Sequence, residues 1–365
     1  MKNIIAKNGD NMKKEKLGNY NENDRIYWLK RFSGNFEPAV PFPYKKRDFI
    51  SLMNYTQEEL EALLAFTETI KSGKDTYPYL ANKTLGLMFG VASTRTRISF
   101  QVGARQLGGH ADFYNTNDLQ LVYHESLIDT VRVMSRYIDG LVVRMYDMKN
   151  YGKGRESLNL LAEYGDIPII NALDDKDHPC QALGDIFTIK EKFAEDYKKK
   201  RVVFTWGYSW RQKSPGVPHS MMTAAALLGM NIVFVYPRGF ELDEEYVSFA
   251  REAVKHSGGT LEFSNDLGEA SEGADVIYVK SWKSLKMSSE EDQKFREQPR
   301  ARRDWCVSDH HFKKAKPGAL FMNCLPIIRG EQATAEVIDG RHSIIYDEAE
   351  NRLHIQKAIM ATLMA

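Results

Sequence analysis

Short apolar runs alternate with helical patterns along most of this chain. Apolar residues recur at helical spacing from residue 55 onward, which predicts that the folded part begins near residues 40–50. Alternation of buried strands with helices is typical of a parallel sheet covered on both faces. The first series is predicted as strand 84–89, a helix from about 94 to 107, strand 111–114, helix 126–137, strand 140–145, helix 155–164 and strand 167–171.

A long helical pattern at 179–193 leads into a second series of the same kind. The economical interpretation is an α/β protein with two doubly wound parallel-sheet domains joined by helices, residues 41–175 with 347–365 forming one domain and 176–346 the other. Its ligand site is expected in the cleft between the domains, at the C-terminal ends of the strands. The second series is predicted as strand 202–204, helix 218–228, strand 231–236, helix 243–256, strands 260–263, 275–279 and 319–322, and helix 347–364.

Composition excludes several classes of protein. Lys and Arg (50) balance Asp and Glu (49) over 365 residues, which gives no reason to expect nucleic acid or a membrane surface as a partner. Cys180, Cys306 and Cys324 lack metal-ligand spacing and favour a reducing, cytoplasmic setting without a disulfide framework. The first 40 residues mix Lys and Asn with acidic residues and have no apolar core, so we expect a disordered extension rather than a targeting signal.

A cluster of hydroxyl and guanidinium groups follows the first predicted strand. Ser93-Thr94-Arg95-Thr96-Arg97 comes after the apolar run 85–89 and opens a helical stretch. A helix N-terminus presents unpaired N–H groups and partial positive charge, and Arg can grip two oxygens of one anion. The stretch therefore predicts a phosphate site, with Ser93 as a further potential N-cap. The alternative is an ordinary capped surface helix with solvated charges.

Four further polar stretches are predicted near strand ends or helix starts. Each has an ordinary structural alternative: a surface charge, a helix cap, a plain turn or a solvated helix face. Pro179 suits the first position of a helix and would leave His178 and Gln181 at its mouth. The four are Arg144 at the end of Val142-Val143, Asp177-His178-Pro179-Cys180-Gln181, Asn323-Cys324-Leu325-Pro326, and Glu350-Asn351-Arg352.

Together these five motifs, in this order and at this spacing, resemble the aspartate/ornithine carbamoyltransferase family over about residues 45–365. The resemblance implies transfer of the carbamoyl group from carbamoyl phosphate to a small amine acceptor, with residues 41–175 plus 347–365 binding carbamoyl phosphate and 176–346 binding the acceptor. It implies a catalytic set of Arg95, Arg144, His178, Cys324 and Arg352. The residues implied to contact carbamoyl phosphate are Ser93, Thr94, Arg95, Thr96, Arg97, Arg144, His178, Gln181, Leu325 and Arg352.

This chemistry needs fixed positive charge rather than a cofactor, a metal or a covalent nucleophile. Attack of an amine on the carbonyl carbon creates an oxyanion and then expels phosphate, so arginines and one histidine around both oxygen sets are the required groups. Cys324 is interpreted as a packing or substrate-contact group. The departing phosphate is the hypothetical acceptor of the amine proton, because no Asp/His pair stands out as a general base.

The acceptor side departs from ordinary ornithine carbamoyltransferases, which carry an Asp for the α-amino group of ornithine before a Trp. This chain has Lys280-Ser281-Trp282, and a cation there attracts a carboxylate and repels an ammonium group. Trp206, Lys280, Ser281, Trp282 and Cys324 are the expected acceptor-binding residues. The loop Lys213 to Pro218 and Lys280-Ser281-Trp282 resemble the knotted subgroup, which includes N-acetylornithine and N-succinylornithine carbamoyltransferases and would imply a threaded chain.

Several features leave the acceptor open. Asn323 replaces the subgroup's usual His, and Ile328 and Gln332 replace its second Arg and functional Lys. The expected acceptor is an N-acylornithine or a similar carboxylate-bearing amine; plain ornithine, and a non-catalytic protein that only binds carbamoyl phosphate, are the alternatives. Arginine biosynthesis is the expected pathway. Segment 118–126 corresponds to a family loop that reaches a neighbouring subunit, which implies a homotrimer or a multiple of it.

Overall fold

A computed structural model describes residues 47–365, so the expected extension at residues 1–40 lies outside the described residues. Two parallel sheets form the framework. The first has the order β2-β1-β3-β4, and every neighbouring pair in it is parallel, as the alternating pattern predicts. Its strands are β1 (Thr84–Phe89), β2 (His110–Asn115), β3 (Gly140–Arg144) and β4 (Ile169–Leu173).

Helices α1 to α4 accompany this first sheet. Helix α1 begins with a capping box, in which Thr56 Oγ1 accepts the backbone N–H of Glu59 and Glu59 Oε2 accepts that of Thr56. Its apolar face then buries Leu60, Leu63 and Leu64. The helices are α1 (Gln57–Lys71), α2 (Thr94–Gln106), α3 (Leu127–Met134) and α4 (Lys153–Tyr164).

The second sheet has the order β7-β6-β5-β8-β9, again with parallel pairs throughout. Its centre is aromatic: the rings of Phe204 and Tyr278 stack with their centroids 4.5 Å apart. The five strands are β5 (Arg201–Trp206), β6 (Asn231–Val235), β7 (Thr260–Ser264), β8 (Val276–Lys280) and β9 (Leu320–Met322). The central strands β5, β6 and β8 are buried, which is why they read as continuous apolar runs in the sequence, whereas the edge strand β7 is partly exposed.

Long helices of the second half match the predicted pattern, and several short ones do not. Helices of four to eight residues lie between β7 and the last helix, in stretches too short or too charged to show an apolar period. The helices are α5 (Pro179–Phe193), α6 (Gly216–Leu227), α7 (Glu244–Ser257), α8 (Leu267–Ala270), α9 (Ser289–Arg296), α10 (Pro299–Asp304), α11 (Asp309–Lys314), α12 (Ala335–Ile338) and α13 (Ile345–Met364).

Helices α5 and α13 lie at the junction of the two halves. Helix α13 packs against α1, α2 and α5, and α5 also packs against α6 of the second half. The C-terminal helix therefore returns to the first half. Asp185 of α5 accepts a hydrogen bond from Tyr278 of β8, and Glu348 of α13 accepts one from the backbone of Asn323 after β9. Within residues 47–365, no helix combines the length and apolarity needed to cross a membrane.

Candidate active site

The N-terminus of α2 carries the predicted anion-binding motif. The chain leaves β1 at Phe89 and enters α2 at Thr94, with Ser93 in extended conformation at the N-cap. The sequence allows Ser93 to cap the helix, but its side chain makes no capping hydrogen bond. The first N–H groups of α2 consequently keep their unpaired character and the Ser93 hydroxyl stays available, which suits an anion at this point.

Arg352 connects the last helix to this N-terminus. Its side chain is only 3% exposed; one guanidinium nitrogen donates to Thr96 Oγ1 at 2.8 Å and the other to Gln181 Oε1, while Nε has no partner. Residues 96, 181 and 352 are far apart in sequence. The fold therefore brings together three of the five predicted motifs, from α2, α5 and α13, around one buried cation.

Arg144 completes a cluster of positive charge. It ends β3, and one of its guanidinium nitrogens donates to the carbonyl of Ala172 at 3.3 Å. Burial, and the charges of Arg352 and Arg95 nearby, lower the pKa of Arg144 to about 10. Among residues 47–365, no carboxylate forms an ion pair with Arg95, Arg144 or Arg352. Such a cluster is stabilised by an anionic ligand.

His178 stands at the mouth of α5, which begins at Pro179 as expected. Its backbone N–H donates to Ser220 Oγ at 2.8 Å, whereas its buried Nδ1 has no partner. Burial first, and then the charges of Arg352 and Arg144, lower the pKa of His178 well below its usual range. This environment favours the neutral imidazole, which can hydrogen-bond an uncharged group, over the positive charge that the sequence predicts for His178.

Arg97 lies differently from the other members of the motif. Its guanidinium carbon sits 3.7 Å from the centroid of the Phe113 ring, and the side chain is exposed. This cation–π contact holds Arg97 toward β2 and solvent. Arg95 instead lies close enough to Arg144, His178 and Arg352 to lower the pKa of each. The structure thus draws Arg95, rather than Arg97, into the charged cluster.

The turn after β9 places Cys324 and Leu325 opposite that cluster. Asn323 organises the turn: its Nδ2 donates to the carbonyl of Val279 at 2.7 Å, and its Oδ1 accepts the backbone N–H of Leu325 at 2.7 Å. Leu325 adopts a positive φ of 54° and is half-buried. Because both ends of the Asn323 amide are used in this way, Asn323 acts in shaping the turn.

Two lysines occupy the acceptor side. Lys280 ends β8 and is 8% exposed, and no hydrogen bond or ion pair joins its Nζ to another residue in the range 47–365. Lys213 comes from the loop before α6, and its Nζ lies 3.5 Å from the carbonyl of Pro326. Burial first, and the charge of Lys280 next, lower the pKa of Lys213 to about 7. Two cations so placed favour an anionic group between them.

Three other residues expected at the acceptor side are fully buried. Trp206 Nε1 donates to the carbonyl of Trp282 at 2.9 Å, and Trp282 Nε1 donates to that of Phe240 at 3.0 Å. Ser281 Oγ accepts from buried Arg296, which also donates to the carbonyls of Ser209 and Trp282. Their polar groups are thus engaged within the second half. Trp206, Ser281 and Trp282 are therefore packed inside the second half, each 0% exposed, and their role in binding the acceptor stays a prediction.

Comparison with known proteins decides the family. Residues 47–191 match the family model described as aspartate/ornithine carbamoyltransferase, carbamoyl-P binding domain, and residues 198–363 match its Asp/Orn binding domain. The chain belongs to the aspartate/ornithine carbamoyltransferase family. It is therefore a transferase that moves the carbamoyl group from carbamoyl phosphate to an amine of the ornithine type, as the five motifs predict.

Similar members of the family are named for ornithine or for acetylornithine. The chain is 42% identical over 324 residues to ornithine carbamoyltransferase of Halalkalibacterium halodurans, covering 88% of this chain and 96% of that one. The solved ornithine carbamoyltransferase from Pyrococcus furiosus matches with a TM-score of 0.77 at 39% identity, covering 88% and 97%. Acetylornithine transcarbamylase complexed with acetylcitrulline matches with 0.79 at 34% identity, covering 87% and 99%.

These relatives confirm the predicted family and the two-sheet α/β fold. They leave two interpretations open, since both acceptors occur among them. The non-catalytic alternative has no support here, because the relatives described above are all named as carbamoyltransferases. Within residues 47–365 there is no group of three or more His, Cys, Asp or Glu side chains arranged for a metal ion.

Next to the candidate site, the structure also shows contacts of Asp177 that the sequence did not reveal. Asp177 accepts from Arg155 at 2.7 Å, Ser220 at 2.6 Å and Tyr246 at 2.5 Å, which ties α4 to α6 and α7 directly beside His178. Asp177 precedes His178 in one of the five motifs, so the sequence pointed to it. Its three partners come from distant segments, and nothing in the sequence pointed to them. Lys213 could be predicted only as part of the loop Lys213 to Pro218.

Proposed function

We propose that this protein transfers the carbamoyl group of carbamoyl phosphate to the free amine of an N-acylornithine or a similar carboxylate-bearing amine, and releases phosphate. Carbamoyl phosphate lies at the N-terminus of α2, between the two halves. The residues assigned to it are Ser93, Thr94, Arg95, Thr96, Arg97, Arg144, His178, Gln181, Leu325 and Arg352. For Arg97 this assignment requires the side chain to leave the Phe113 ring when the ligand binds.

Catalysis in this proposal is positional and electrostatic. Arg95, Arg144 and Arg352 stabilise the negative charge that develops on the carbonyl oxygen and on the departing phosphate. Neutral His178 hydrogen-bonds the carbamoyl group, and Cys324 with Leu325 packs beside the reacting carbon without forming a covalent bond. The amine nitrogen first bonds to the carbonyl carbon and creates the oxyanion, whose collapse then breaks the C–O bond to phosphate, and the departing phosphate takes the proton of the amine. A phosphate-free carbamoyl donor that reacts equally fast would count against that proton route.

The single observation that carries the choice of acceptor is the pair of lysines opposite this cluster. Lys280 lacks an acceptor among the described residues, and Lys213 is close enough for the two charges to influence each other. A carboxylate or acyl carbonyl between them satisfies both, whereas the α-ammonium group of free ornithine would be repelled. Trp206, Ser281 and Trp282 support this region from below, and Cys324 borders it.

Plain ornithine is the second candidate, and one residue favours it. Glu331 lies close enough to Lys213 to raise its pKa, and Glu331 Oε2 is buried without a partner. An α-ammonium group would supply a donor to that oxygen. The relative from Halalkalibacterium halodurans is also named ornithine carbamoyltransferase. Glu331 therefore favours an acceptor with an α-ammonium group, whereas Lys213 and Lys280 favour an acceptor with an anionic or acyl group.

We further propose a role in arginine biosynthesis in the cytoplasm and assembly as a homotrimer or a multiple of it. Two exposed apolar patches support the assembly: Val122 and Tyr123 in segment 118–126, of which Tyr123 is 77% exposed, and Ile98 with Val102 on α2. The first patch lies in the loop that follows β2, and the second lies along the exposed side of α2. Contact between copies would cover them.

The test is phosphate release from carbamoyl phosphate with a panel of amines. The panel is ornithine, N-acetylornithine, N-succinylornithine, putrescine, 2,3-diaminopropionate and aspartate. Turnover of the acylated ornithines, with little for free ornithine, is the expected result. Activity with ornithine alone would transfer the assignment to the second candidate, and tight binding of carbamoyl phosphate without turnover of any amine would contradict both.

A further inference from the structure

Two buried carboxyl groups lie behind the carbamoyl phosphate residues. Asp185 on α5 and Glu348 on α13 are both 0% exposed. Asp185 follows Gln181 by one helical turn, and Glu348 precedes Arg352 by one turn. Each helix therefore presents one carboxyl group and one carbamoyl phosphate residue along the same face.

If both carboxyl groups were ionised, one of their four oxygens would have no hydrogen-bond donor. Asp185 Oδ1 accepts from Gln181 Nε2 at 2.6 Å and Asp185 Oδ2 from the Tyr278 hydroxyl at 3.0 Å. Glu348 Oε2 accepts the backbone N–H of Asn323 at 2.8 Å, and Glu348 Oε1 has no donor. Asp185 nevertheless lies close enough to Glu348 for its charge to raise the pKa of that group. Two neighbouring buried carboxylates repel each other and can only accept hydrogen bonds, so one proton shared by the pair removes the repulsion and uses the unpaired Oε1 of Glu348.

The hydrogen bonds that Asp185 accepts from Gln181 and Tyr278 favour Glu348 as the group that carries the proton. Both oxygens of Asp185 already accept a hydrogen bond, whereas Oε1 of Glu348 is free to carry a hydroxyl hydrogen toward Asp185. Burial, then the charge of Asp185, raises the pKa of Glu348 well above its usual range. The titratable and charged groups that face the pair are Tyr278 and Cys324 from the second half and Arg352 from α13.

We propose that Glu348 is a protonated positioning residue, whose hydrogen bond to Asp185 fixes the Asn323–Leu325 turn relative to the groups that hold carbamoyl phosphate. Observed hydrogen bonds run from Thr96 through Arg352 and Gln181 to Asp185, and from Glu348 to the backbone of Asn323. The proposed bond between Asp185 and Glu348 joins these two segments into one chain. It joins the two sides of the site across α5 and α13. This inference rests on the carbamoyl transfer proposed above, but not on the identity of the acceptor.

Infrared spectroscopy of the full-length protein tests the proton directly. In D2O at pH 8 exposed carboxyl groups are ionised, so a carboxylic-acid C=O band in the wild-type spectrum reports a buried protonated group. The band is expected to be lost in Glu348→Gln and kept in Glu350→Gln, a matched control on the exposed side of the same helix. A wild-type spectrum without the acid band overturns the proposal, even if the variants do not fold.

Kinetics test the positioning role. Glu348→Gln keeps a donor for Asp185 and an acceptor for Asn323, so kcat is expected within about threefold of the wild type. Glu348→Ala leaves the Asn323 N–H without its acceptor, and kcat is expected to fall on the order of 10²-fold while KM for carbamoyl phosphate changes little. Asp185→Asn is expected to be impaired as well, because its amide offers one acceptor oxygen where Asp185 offers two to the donors of Gln181, Tyr278 and Glu348.

Equal impairment of the glutamine and alanine variants would contradict the proposal, since a protonated Glu348 is mimicked by Gln. Failure of the proposed function itself would be seen differently, as an inactive wild type. The acid band is measured without any substrate, so it separates the two failures.

Discussion

The two sides of this cleft are built in different ways. Carbamoyl phosphate is assigned to a helix N-terminus and to arginines held by buried hydrogen bonds, such as Arg352 with Thr96 and Gln181. The acceptor side instead depends on Lys280 at a strand end and Lys213 in a loop, and neither forms an ion pair with any of residues 47–365. Hydrogen bonds within the protein fix the geometry of the carbamoyl phosphate side. The acceptor side presents two lysines without an ion-pair partner among the described residues.

This difference indicates how a shared reaction is combined with a variable acceptor. Groups that stabilise a transition state must be held in place before the substrate arrives, which demands buried partners. A specificity pocket needs only the right charge and shape, so a change of side chain at the end of β8 alters the acceptor without disturbing the carbamoyl phosphate residues. Variants on the two sides should therefore have separable effects.

The largest effect is expected on the carbamoyl phosphate side. Arg352→Ala should lower kcat/KM by about 10³-fold for every acceptor, because it removes charge stabilisation and the link between Thr96 and Gln181. Arg352→Lys should recover only part of the activity, since Lys lacks the planar fork. Initial rates of phosphate release measure both, with exposed Arg251→Ala as the control. Turnover within a few-fold of the wild type would refute the electrostatic assignment.

On the acceptor side, Lys280→Asp should separate binding of the two substrates. It replaces a cation with an anion, so kcat/KM for N-acetylornithine is expected to fall by roughly 10²-fold. KM for carbamoyl phosphate should stay within about threefold, and turnover of free ornithine should rise. Lys294→Asp, an exposed lysine on α9, is the matched control. Equal losses for both substrates would remove the distinction between the two sides.

Lys213 should make acceptor binding depend on pH. Its pKa of about 7 means that it loses charge as the pH rises through neutrality, so an anionic ligand should bind less tightly at higher pH. The probe is N-succinyl-L-norvaline, which has no free amine to titrate. This compound is bound in a solved variant of N-acetyl-L-ornithine transcarbamylase. Its inhibition constant is expected to rise about tenfold from pH 6 to pH 8.

Two variants identify the group responsible for that pH dependence. Lys213→Arg stays charged throughout and should bind the probe equally at both pH values, whereas Lys213→Met should bind it weakly at both. His178 is not expected to contribute, because its pKa lies well below this range. An unchanged pH profile in Lys213→Met would assign the titration to another group.

The smallest effect is expected from Glu331→Gln. If the acceptor is acylated, this variant should change kcat/KM for N-acetylornithine by less than about threefold, because no ammonium group faces the carboxylate. Residual turnover of free ornithine should fall by about tenfold. Parallel rates with both acceptors give the answer, and exposed Glu336→Gln serves as the control. A large loss with N-acetylornithine would place Glu331 in the acceptor site.

The fold was predicted well wherever a segment carried a strong local period. Strand β1 and helix α5 begin and end at the predicted residues, because an apolar run and a proline at the first helical position mark them clearly. Strand β4 lies two residues later than predicted, at Ile169–Leu173. Short helices such as α10 (Pro299–Asp304) were missed, since their stability comes from tertiary contacts rather than from an apolar face.

Site residues, too, were predicted from sequence where they stand in compact local motifs and were missed where they depend on tertiary contacts. Thr96, Gln181 and Arg352 stand in compact motifs, and the structure joins them by hydrogen bonds. Burial of Trp206 and Trp282 could not be foreseen, because it depends on carbonyls supplied by distant loops. The lowered pKa of His178 likewise follows first from burial, and then from arginines that only the fold brings close. The residue roles and the domain boundaries at 175 and 346 remain predictions.

The most direct test of the acceptor assignment is a competition between N-acetylornithine and ornithine. Both amines are supplied at equal concentration with saturating carbamoyl phosphate, and the two carbamoylated products are quantified by mass spectrometry. The lysine pair predicts that the wild-type enzyme favours N-acetylornithine by at least about tenfold and that Lys280→Asp reverses the preference. A wild-type preference for free ornithine would contradict the account.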